Sequence, residues 1–289
     1  MAITASMVKE LRERTGLGMM DCKRALEETD GDLEQAIEEL RKKSALKAAK
    51  KAGRTTADGL LAIKVADDGT RGALVEVNIE TDFAAKNEKF IAFVGKTLEL
   101  VFDSEDGDVA AILAAGLDAE RETLVQEIGE NISVRRGVVV ASANGGVASY
   151  MHGDQRKGAL VVLSGNNDEL GRDVAMHVTA INPMVVRSED VPEDVLAKER
   201  EIYTTQAEDS GKPAEIVEKM VEGRVRKYLA EVSLVDQPFV KDPNQKVGQL
   251  VKEAGLEIEQ IVRYEVGEGI EVEEEDFAAE VAAQLKGSE

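Results

Sequence analysis

Apolar side chains recur at spacings of three and four positions along residues 4–45, and glycines interrupt that pattern. The periodicity predicts three short helices: the first ends at Gly16, the second ends near Gly31, and Asp32 caps the third. The apolar positions that define these helices are Met7, Val8, Leu11, Met20, Ala25, Leu26, Leu33, Ala36, Ile37 and Leu40. Together they predict a small bundle of about 40 residues, which is marginally stable by itself.

The turn between the first two helices, residues 15–19, places Leu17 and Met19 beside two glycines. Two interpretations are equally compatible with this pattern. The two side chains close the bundle, or they bind a partner, as the same turn does in three-helix modules of the ubiquitin-associated type. A basic, alanine-rich stretch follows at 42–54 and lacks a strong apolar face. We interpret it as a partly helical tether rather than an RNA contact.

The middle of the chain repeats itself. Residues 59–102 have the pattern strand (60–65), turn, strand (73–79), helix (83–102), and residues 146–181 have strand (147–150), turn, strand (159–163), helix (168–181). The second strands of the two copies also share an identical segment, since Gly-Ala-Leu-Val begins at Gly72 and again at Gly158. This pattern predicts an α+β fold with a duplicated core of antiparallel sheets, each covered on one face by its helix.

The remaining elements fit around this core. The pattern predicts a helix at 113–128 and a strand at 132–140 between the two copies. After the second copy it predicts two helices at 192–209 and 213–232, which pair as a protruding antiparallel coiled coil. A helix at 247–254, a strand at 257–266 that rejoins the second sheet and a tail helix carrying Phe277 complete the chain. The expected domains are the N-terminal bundle (1–45), a linker (46–56), a first core subdomain (57–140), a second one (141–265) with the hairpin inserted at about 190–232, and a C-terminal helical module (266–289).

Composition limits the function. The 289 residues carry a net charge of −21, which repels a phosphate backbone, so we do not expect nucleic acid as the main ligand. Cys22 is the only cysteine, and this excludes an intrachain disulfide. The N-terminus lacks the pattern of a secretory signal, and the longest apolar runs are too short to span a bilayer. We therefore expect a cytoplasmic protein with no membrane contact.

The segment 80–90 is the most informative. A strand ends at Ile79, and Thr81 and Asp82 can cap the helix that carries Phe90, with Phe83 in its first turn. In one interpretation Phe83 folds inward. In the other it is presented to another protein. The second copy of the repeat has an ordinary polar turn at this position, residues 165–168. This difference between the copies favours a functional role for Phe83.

No pattern of catalysis or cofactor binding is present. Glycine-rich phosphate loops, the dinucleotide fingerprint and the nucleophile elbow are all missing from the sequence. His177 lies in an apolar helix, where we expect a satisfied core histidine, and His152 lies in an exposed hairpin turn. We therefore expect no enzyme activity, no metal and no cofactor.

Five stretches in order resemble the bacterial elongation factor Ts family over essentially the whole chain. The first stretch is Val8-Lys9-Glu10-Leu11-Arg12-Glu13-Arg14-Thr15-Gly16, followed by Gly18-Met19-Met20-Asp21-Cys22-Lys23. The second stretch is Glu76-Val77-Asn78, followed by Thr81-Asp82-Phe83. The others are Ala175-Met176-His177-Val178, Gly248-Gln249-Leu250 and Phe277-Ala278-Ala279-Glu280-Val281-Ala282-Ala283. One departure is Ala84, where the family usually has Val.

The resemblance implies a guanine-nucleotide exchange factor that acts on the GTPase elongation factor Tu and does not itself bind nucleotide. It implies that Thr81, Asp82, Phe83 and Ala84 enter the GTPase domain and dislocate its Mg²⁺, and that His152, in a Tyr-x-His-Gly turn, contacts the same partner. It also implies that the N-terminal bundle and the tail helix grip the GTPase domain, while the second half of the core reaches another domain. For Asp82 we favour capping of its own helix over repulsion of phosphate.

Two alternatives remain at this point. In the first, the N-terminal bundle reads ubiquitin-like folds and the remainder is a chaperone-like scaffold, so that the isolated bundle would bind its target alone. In the second, an enzyme site surrounds His152, and His152→Ala would abolish activity outright. Exchange, in contrast, needs the core that contains Phe83.

Overall fold

A computed structural model describes residues 3–208 and 213–271 of the chain. Its helices are α1 (Ala5–Thr15), α2 (Met19–Glu28), α3 (Leu33–Lys51), α4 (Asp82–Ala85), α5 (Glu88–Asp103), α6 (Val109–Ile112), α7 (Asp118–Ile128), α8 (Asp168–Ile181), α9 (Glu193–Glu208), α10 (Ala214–Val232) and α11 (Val247–Glu253). Its strands are β1 (Asp58–Val65), β2 (Arg71–Ile79), β3 (Ile132–Ala141), β4 (Val147–Met151), β5 (Lys157–Leu163) and β6 (Ile258–Glu265). The predicted α+β fold class is confirmed.

The first three helices form the predicted bundle. The Thr4 hydroxyl caps α1, the Asp32 carboxylate caps α3, and Gly16 ends α1 in the left-handed conformation. The buried core of the bundle consists of Val8, Leu11, Leu17, Cys22, Ala25, Leu26, Ala36 and Leu40. In the turn at 15–19, Leu17 therefore closes the bundle, whereas Met19 is 59% exposed.

Helix α3 continues beyond the predicted end of the bundle, through the first part of the segment that we interpreted as a tether. Ala48 is buried against the cluster that also contains Leu124 and Val125 of α7. The Ser44 hydroxyl donates to Gln126 of α7 at 2.5 Å, and the Lys51 ammonium donates to the carbonyl of Gly129. Residues 46–51 are therefore a packed part of a helix, and only residues 52–57 lie outside both the helix and the strand that follows. The domain boundaries stay a prediction.

Two three-stranded antiparallel sheets form the core. The first has the order β1-β2-β3 and the second the order β4-β5-β6, so the strand predicted at 257–266 does rejoin the second sheet. Helix α5 covers the outer face of the first sheet through Phe90, Phe93 and Val94. Helix α8 covers the outer face of the second sheet through Val174 and Val178. The predicted duplication of hairpin and covering helix is confirmed.

The inner faces of the two sheets pack against each other, and this arrangement was not predicted from the sequence. Side chains from both sheets share one buried cluster, with Leu61, Leu74 and Val140 from the first and Val147, Leu160 and Val162 from the second. Two glycines permit the close approach. A Cβ on Gly72 would lie 2.7 Å from Val147 Cγ1, and a Cβ on Gly158 would lie 2.9 Å from Ile63 Cδ1. These are the first residues of the shared Gly-Ala-Leu-Val segments.

Two predicted helices are interrupted. The helix predicted at 83–102 is two helices, because the backbone leaves the helical path at Asn87, whose side chain caps α5 by accepting from the Lys89 amide at 2.9 Å. The helix predicted at 113–128 is α7 preceded by a wide turn over Leu113–Leu117, in which Gly116 has a φ of 129°. Only a residue that tolerates positive φ allows that kink.

Helices α9 and α10 form the predicted antiparallel pair, with Ala207, Val221 and Val225 buried along the seam. The tip of this hairpin, residues 209–212, lies outside the described residues. The predicted tail helix, which carries Phe277, also lies outside them, as does all of the predicted C-terminal module from residue 272 onward.

A buried carboxylate ties the first sheet to the chain that follows β6. Glu76 is 0% exposed. Its Oε1 accepts from Arg135 Nη1 at 3.0 Å, from Asn78 Nδ2 at 3.1 Å and from the Gly267 amide at 2.9 Å, and its Oε2 accepts from Arg136 Nε at 2.6 Å. Burial alone would raise the pKa of Glu76, but the hydrogen bonds from Gly267, Arg135 and Arg136 outweigh it, so the pKa lies below its usual value.

We expect Glu76→Gln to lower the free energy of unfolding by about 2 kcal/mol near neutral pH, because it weakens hydrogen bonds to an ionised group and removes the buried negative charge that faces Arg135 and Arg136. The folded-state pKa is depressed, so this stabilisation is complete above the usual value of 4.5 and is lost as pH falls toward the folded-state pKa. Urea unfolding from about pH 7 to about pH 3.5 should therefore show a difference between parent and variant that shrinks in acid. The control is Glu259→Gln on the exposed side of β6. A difference independent of pH would contradict the assignment.

Candidate functional site: an exposed aromatic corner

The segment between β2 and α5 forms a sharp corner that places Phe83 in solvent. Thr81 has extended backbone angles and is the N-cap of α4, since its hydroxyl accepts from the Ala84 amide at 3.2 Å. Phe83 lies in the only turn of this four-residue helix. Its side chain is 81% exposed, the highest exposure among the large hydrophobic residues of the described chain. The interpretation in which Phe83 folds inward is therefore wrong.

The corner is anchored on the side opposite to Phe83. Ala85 is buried and Ala84 is half-buried, and both pack against the cluster between α5 and the first sheet that contains Phe90 and Ile79. Since these alanines occupy the inner face of α4, the side chain of Phe83 must leave from the outer face. The small side chain of Ala84 still contributes to this anchor.

Asp82 is an exposed partner of Lys86 and not the cap that we favoured. Its Oδ2 accepts from Lys86 Nζ at 2.8 Å, one helical turn away. The Lys86 hydrogen bond is the main reason why the pKa of the Asp82 carboxyl is lowered, so this group is ionised at neutral pH. The same ammonium lies 5.4 Å from the centroid of the Phe83 ring. The corner thus presents an aromatic ring flanked by one negative and one positive charge.

The loop between α7 and β3 holds the corner from a distant part of the chain. Glu130 Oε2 accepts from the Thr81 amide at 2.9 Å, and Glu130 Oε1 accepts from the Thr81 hydroxyl at 2.8 Å. In the other direction, the Asn131 amide donates to Glu80 Oε1 at 2.5 Å. Sequence reasoning missed Glu130 and Asn131. Lys86 could have been found from its spacing of four residues from Asp82, but the contact of Thr81 with Glu130 spans 49 positions and leaves no local signal.

His152 lies in the turn between β4 and β5, at the same end of the two sheets as the corner. Arg156 of that hairpin pairs with Asp58, which lies opposite Ile79 in the first sheet, and the positive charge of Arg156 also contributes to the lowered pKa of Asp82. The His152 ring is exposed, and its Nδ1 lies 3.0 Å from Asp154 Oδ1. The structure therefore places both predicted site segments on one end of the molecule, with charged groups between them.

His177 is the satisfied core histidine that we expected. It is 0% exposed, its Nδ1 accepts from the Val240 amide at 3.2 Å, and its Nε2 lies 2.9 Å from Gln237 Oε1. Because Nδ1 is an acceptor, Nε2 carries the proton, and burial lowers the pKa of the ring below its usual value. This histidine is a structural residue.

Within residues 3–208 and 213–271, no group of three His, Cys, Asp or Glu side chains could hold a metal ion. No helix in the same ranges is both long and apolar enough to cross a membrane. What the described chain does offer is a projecting aromatic side chain on an anchored corner, with a second polar turn at the same end. This arrangement is typical of a factor that acts by binding another protein.

Comparison with known proteins identifies the family. The family model for elongation factor Ts matches residues 80–268, which include the corner, β3 of the first sheet, the whole second sheet and the helical pair. Among curated relatives, elongation factor Ts of Hahella chejuensis is 60% identical over 286 residues, covering 99% of each chain. The proteins of that name from Saccharophagus degradans and Teredinibacter turnerae are 57% and 56% identical, each covering 100% of this chain and 99% of the relative. The chain therefore belongs to the elongation factor Ts family of translation elongation factors.

Because the Phe83 side chain is 81% exposed among the described residues and lies beside the flexible Lys86 side chain, we expect Phe83→Ala to change the free energy of unfolding by less than about 0.5 kcal/mol. Chemical denaturation of the purified variant measures this directly. The matched comparison is Phe90→Ala, which removes a fully buried ring on the neighbouring helix and should cost about 3–5 kcal/mol. A loss for Phe83→Ala that approaches the Phe90 value would show that the ring is packed inward.

Proposed function

We propose that this chain binds the GDP form of elongation factor Tu and inserts the Asp82–Phe83 corner beside its nucleotide site. The insertion disturbs the Mg²⁺ and phosphate region, GDP leaves, and GTP can bind. The observation that carries the proposal is the 81% exposure of Phe83 on a corner that is held by Glu130 and by the buried Ala85. Membership of the elongation factor Ts family supports elongation factor Tu as the partner.

Exchange of this kind requires no bond chemistry. A factor that binds nucleotide-free elongation factor Tu better than the nucleotide-bound form must weaken nucleotide binding by the same factor, because the two equilibria are linked. The chain therefore needs a ligand-like feature that competes with the nucleotide and a wider surface that supplies binding free energy. Phe83 is suited to the first role, since an apolar ring displaces neighbouring groups sterically and gains roughly 2 kcal/mol when it leaves water.

The other site residues have supporting roles in this proposal. Thr81 caps the short helix and fixes its orientation, and Ala84 anchors it against the core. Asp82 is ionised and paired with Lys86, so it can exchange that cation for donors of the partner or repel the phosphates. His152, exposed in the neighbouring turn, can donate or accept a hydrogen bond at the same partner. The N-terminal bundle and the second half of the core would supply the remaining contacts with elongation factor Tu.

We expect Phe83→Ala to slow the release of labelled GDP from elongation factor Tu by about 30-fold at saturating factor, which corresponds to the loss of about 2 kcal/mol of apolar burial. Its affinity for GDP-bound elongation factor Tu should fall less than the release rate does. Stopped-flow fluorescence with labelled GDP gives the rate. The control is Leu100→Ala, which truncates another exposed apolar side chain at the far end of α5. Release at the parent rate by Phe83→Ala would overturn the insertion mechanism.

Asp82→Ala should also slow release more than it weakens the complex, because it removes the carboxylate from the inserted corner while Phe83 stays exposed. We expect an effect of about fivefold to tenfold, in keeping with one charge-assisted hydrogen bond. Asp103→Ala, which removes an exposed carboxylate of equal charge at the end of α5, is the matched control. Equal rates for the parent and Asp82→Ala, with a slow Phe83→Ala, would assign the displacement to the ring alone.

A further inference from the structure

The corner that carries Phe83 has little stability of its own. Helix α4 has four residues, and such a short helix does not persist without contacts to the rest of the fold. Ala84 and Ala85 supply apolar contact on its inner face. The direction of the helix axis, however, depends on Thr81, because this residue lies two positions after the end of β2, has extended backbone angles and caps the helix.

Thr81 is fixed by one side chain, that of Glu130. The two carboxylate oxygens accept from the Thr81 amide at 2.9 Å and from the Thr81 hydroxyl at 2.8 Å. With its proton directed to Glu130, the hydroxyl oxygen presents its lone pairs to the Ala84 amide at 3.2 Å. Glu130 thus sets both the backbone and the side-chain rotamer of the residue that starts the corner.

Glu130 is itself held. The adjacent Asn131 is 5% exposed, and its amide donates to Glu80 at 2.5 Å. The Asn131 side chain donates to the carbonyl of Arg54 at 3.0 Å, and the guanidinium Nη1 of Arg54 lies 3.4 Å from Glu80 Oε1. The loop before β3 and the corner are therefore joined by hydrogen bonds in both directions. Glu130 approaches Thr81 from this fixed loop.

We propose that Glu130 is a positioning residue for nucleotide exchange: by holding Thr81 in place, it keeps the Phe83 ring in the orientation in which it enters the partner. The proposal rests on the function proposed above and adds a residue distant in sequence from the corner. Physically, a ring that is already oriented loses little conformational freedom on insertion, whereas a ring on a mobile corner must be ordered during the displacement itself. Glu130 acts through Thr81 and does not touch the nucleotide.

The test compares Glu130→Ala, Glu130→Gln and the control Glu105→Ala, which removes an equal charge from an exposed position elsewhere. At saturating factor, Glu130→Ala should slow GDP release about tenfold, with less than about a threefold change in affinity for GDP-bound elongation factor Tu. Glu130→Gln, whose amide oxygen can accept only one of the two bonds cleanly, should lie between Glu130→Ala and the parent. Glu105→Ala should match the parent. In addition, hydrogen exchange of the Thr81 and Ala84 amides should accelerate in Glu130→Ala while exchange in β2 stays protected.

A double-mutant cycle with Phe83→Ala separates positioning from other roles. If Glu130 acts only through the ring, Glu130→Ala should have little further effect on release in the Phe83→Ala background. Full additivity of the two changes would overturn the proposal, because it would indicate that Glu130 contacts the partner directly or supports the fold in general. An unchanged release rate in Glu130→Ala, with Phe83→Ala slow, would also overturn it. A Phe83→Ala variant as fast as the parent would instead refute the insertion mechanism itself. An unchanged hydrogen exchange of the Thr81 amide in Glu130→Ala would independently refute the claim that Glu130 holds Thr81 in place.

Discussion

The face-to-face contact between the two three-stranded sheets is the constraint on which the rest of the structure depends. It brings the hairpin that carries His152 against the strand edge that leads to Phe83, through the Arg156–Asp58 pair. It also determines where the chain after β6 runs, since Gly267 donates to the buried Glu76. Because β2 and β5 are covered on both faces, small shifts of one sheet would disturb two hydrophobic layers at once. The two site segments are therefore held at one end by a rigid core.

Much of this fold could be predicted from the sequence, and the parts that could not have definable physical reasons. The bundle, both hairpin-plus-helix copies and the return of β6 follow from local periodicity and from the repeated Gly-Ala-Leu-Val segment. The break at Asn87 was missed because apolar residues continue on both sides of it, which hides a second N-cap. The sequence indicated that the stretch after the bundle is partly helical, but its packing was missed because Ala48 is buried by residues of α7, about 75 positions further along the chain. The continuous apolar run at 159–163 indicates that β5 is buried on both faces, but it does not show that the other sheet covers the inner face.

For the candidate site, too, some features could be predicted from the sequence and others could not. The exposure of Phe83 was inferred from the difference between the two copies of the repeat, and the structure agrees. The partners of the corner were not foreseen in full. Thr81 and Asp82 were both expected to cap the helix, but Thr81 alone is its N-cap, and the Asp82 carboxylate pairs with Lys86. Glu130, which fixes Thr81, lies beyond the reach of any local pattern. Local chemistry thus identifies which side chain is presented, while its orientation depends on contacts that only the folded chain reveals.

The central claim is that the Phe83 ring leaves water and enters elongation factor Tu when the complex forms. Site-specific incorporation of a fluorinated phenylalanine at position 83 allows the exposure of this one ring to be followed by fluorine NMR. The free protein should show a solvent-exposed ring, as its 81% exposure requires. In the complex with nucleotide-free elongation factor Tu, the account predicts a shifted resonance that no longer responds to exchange of H₂O for D₂O. A ring that stays equally exposed to solvent in that complex would contradict the account.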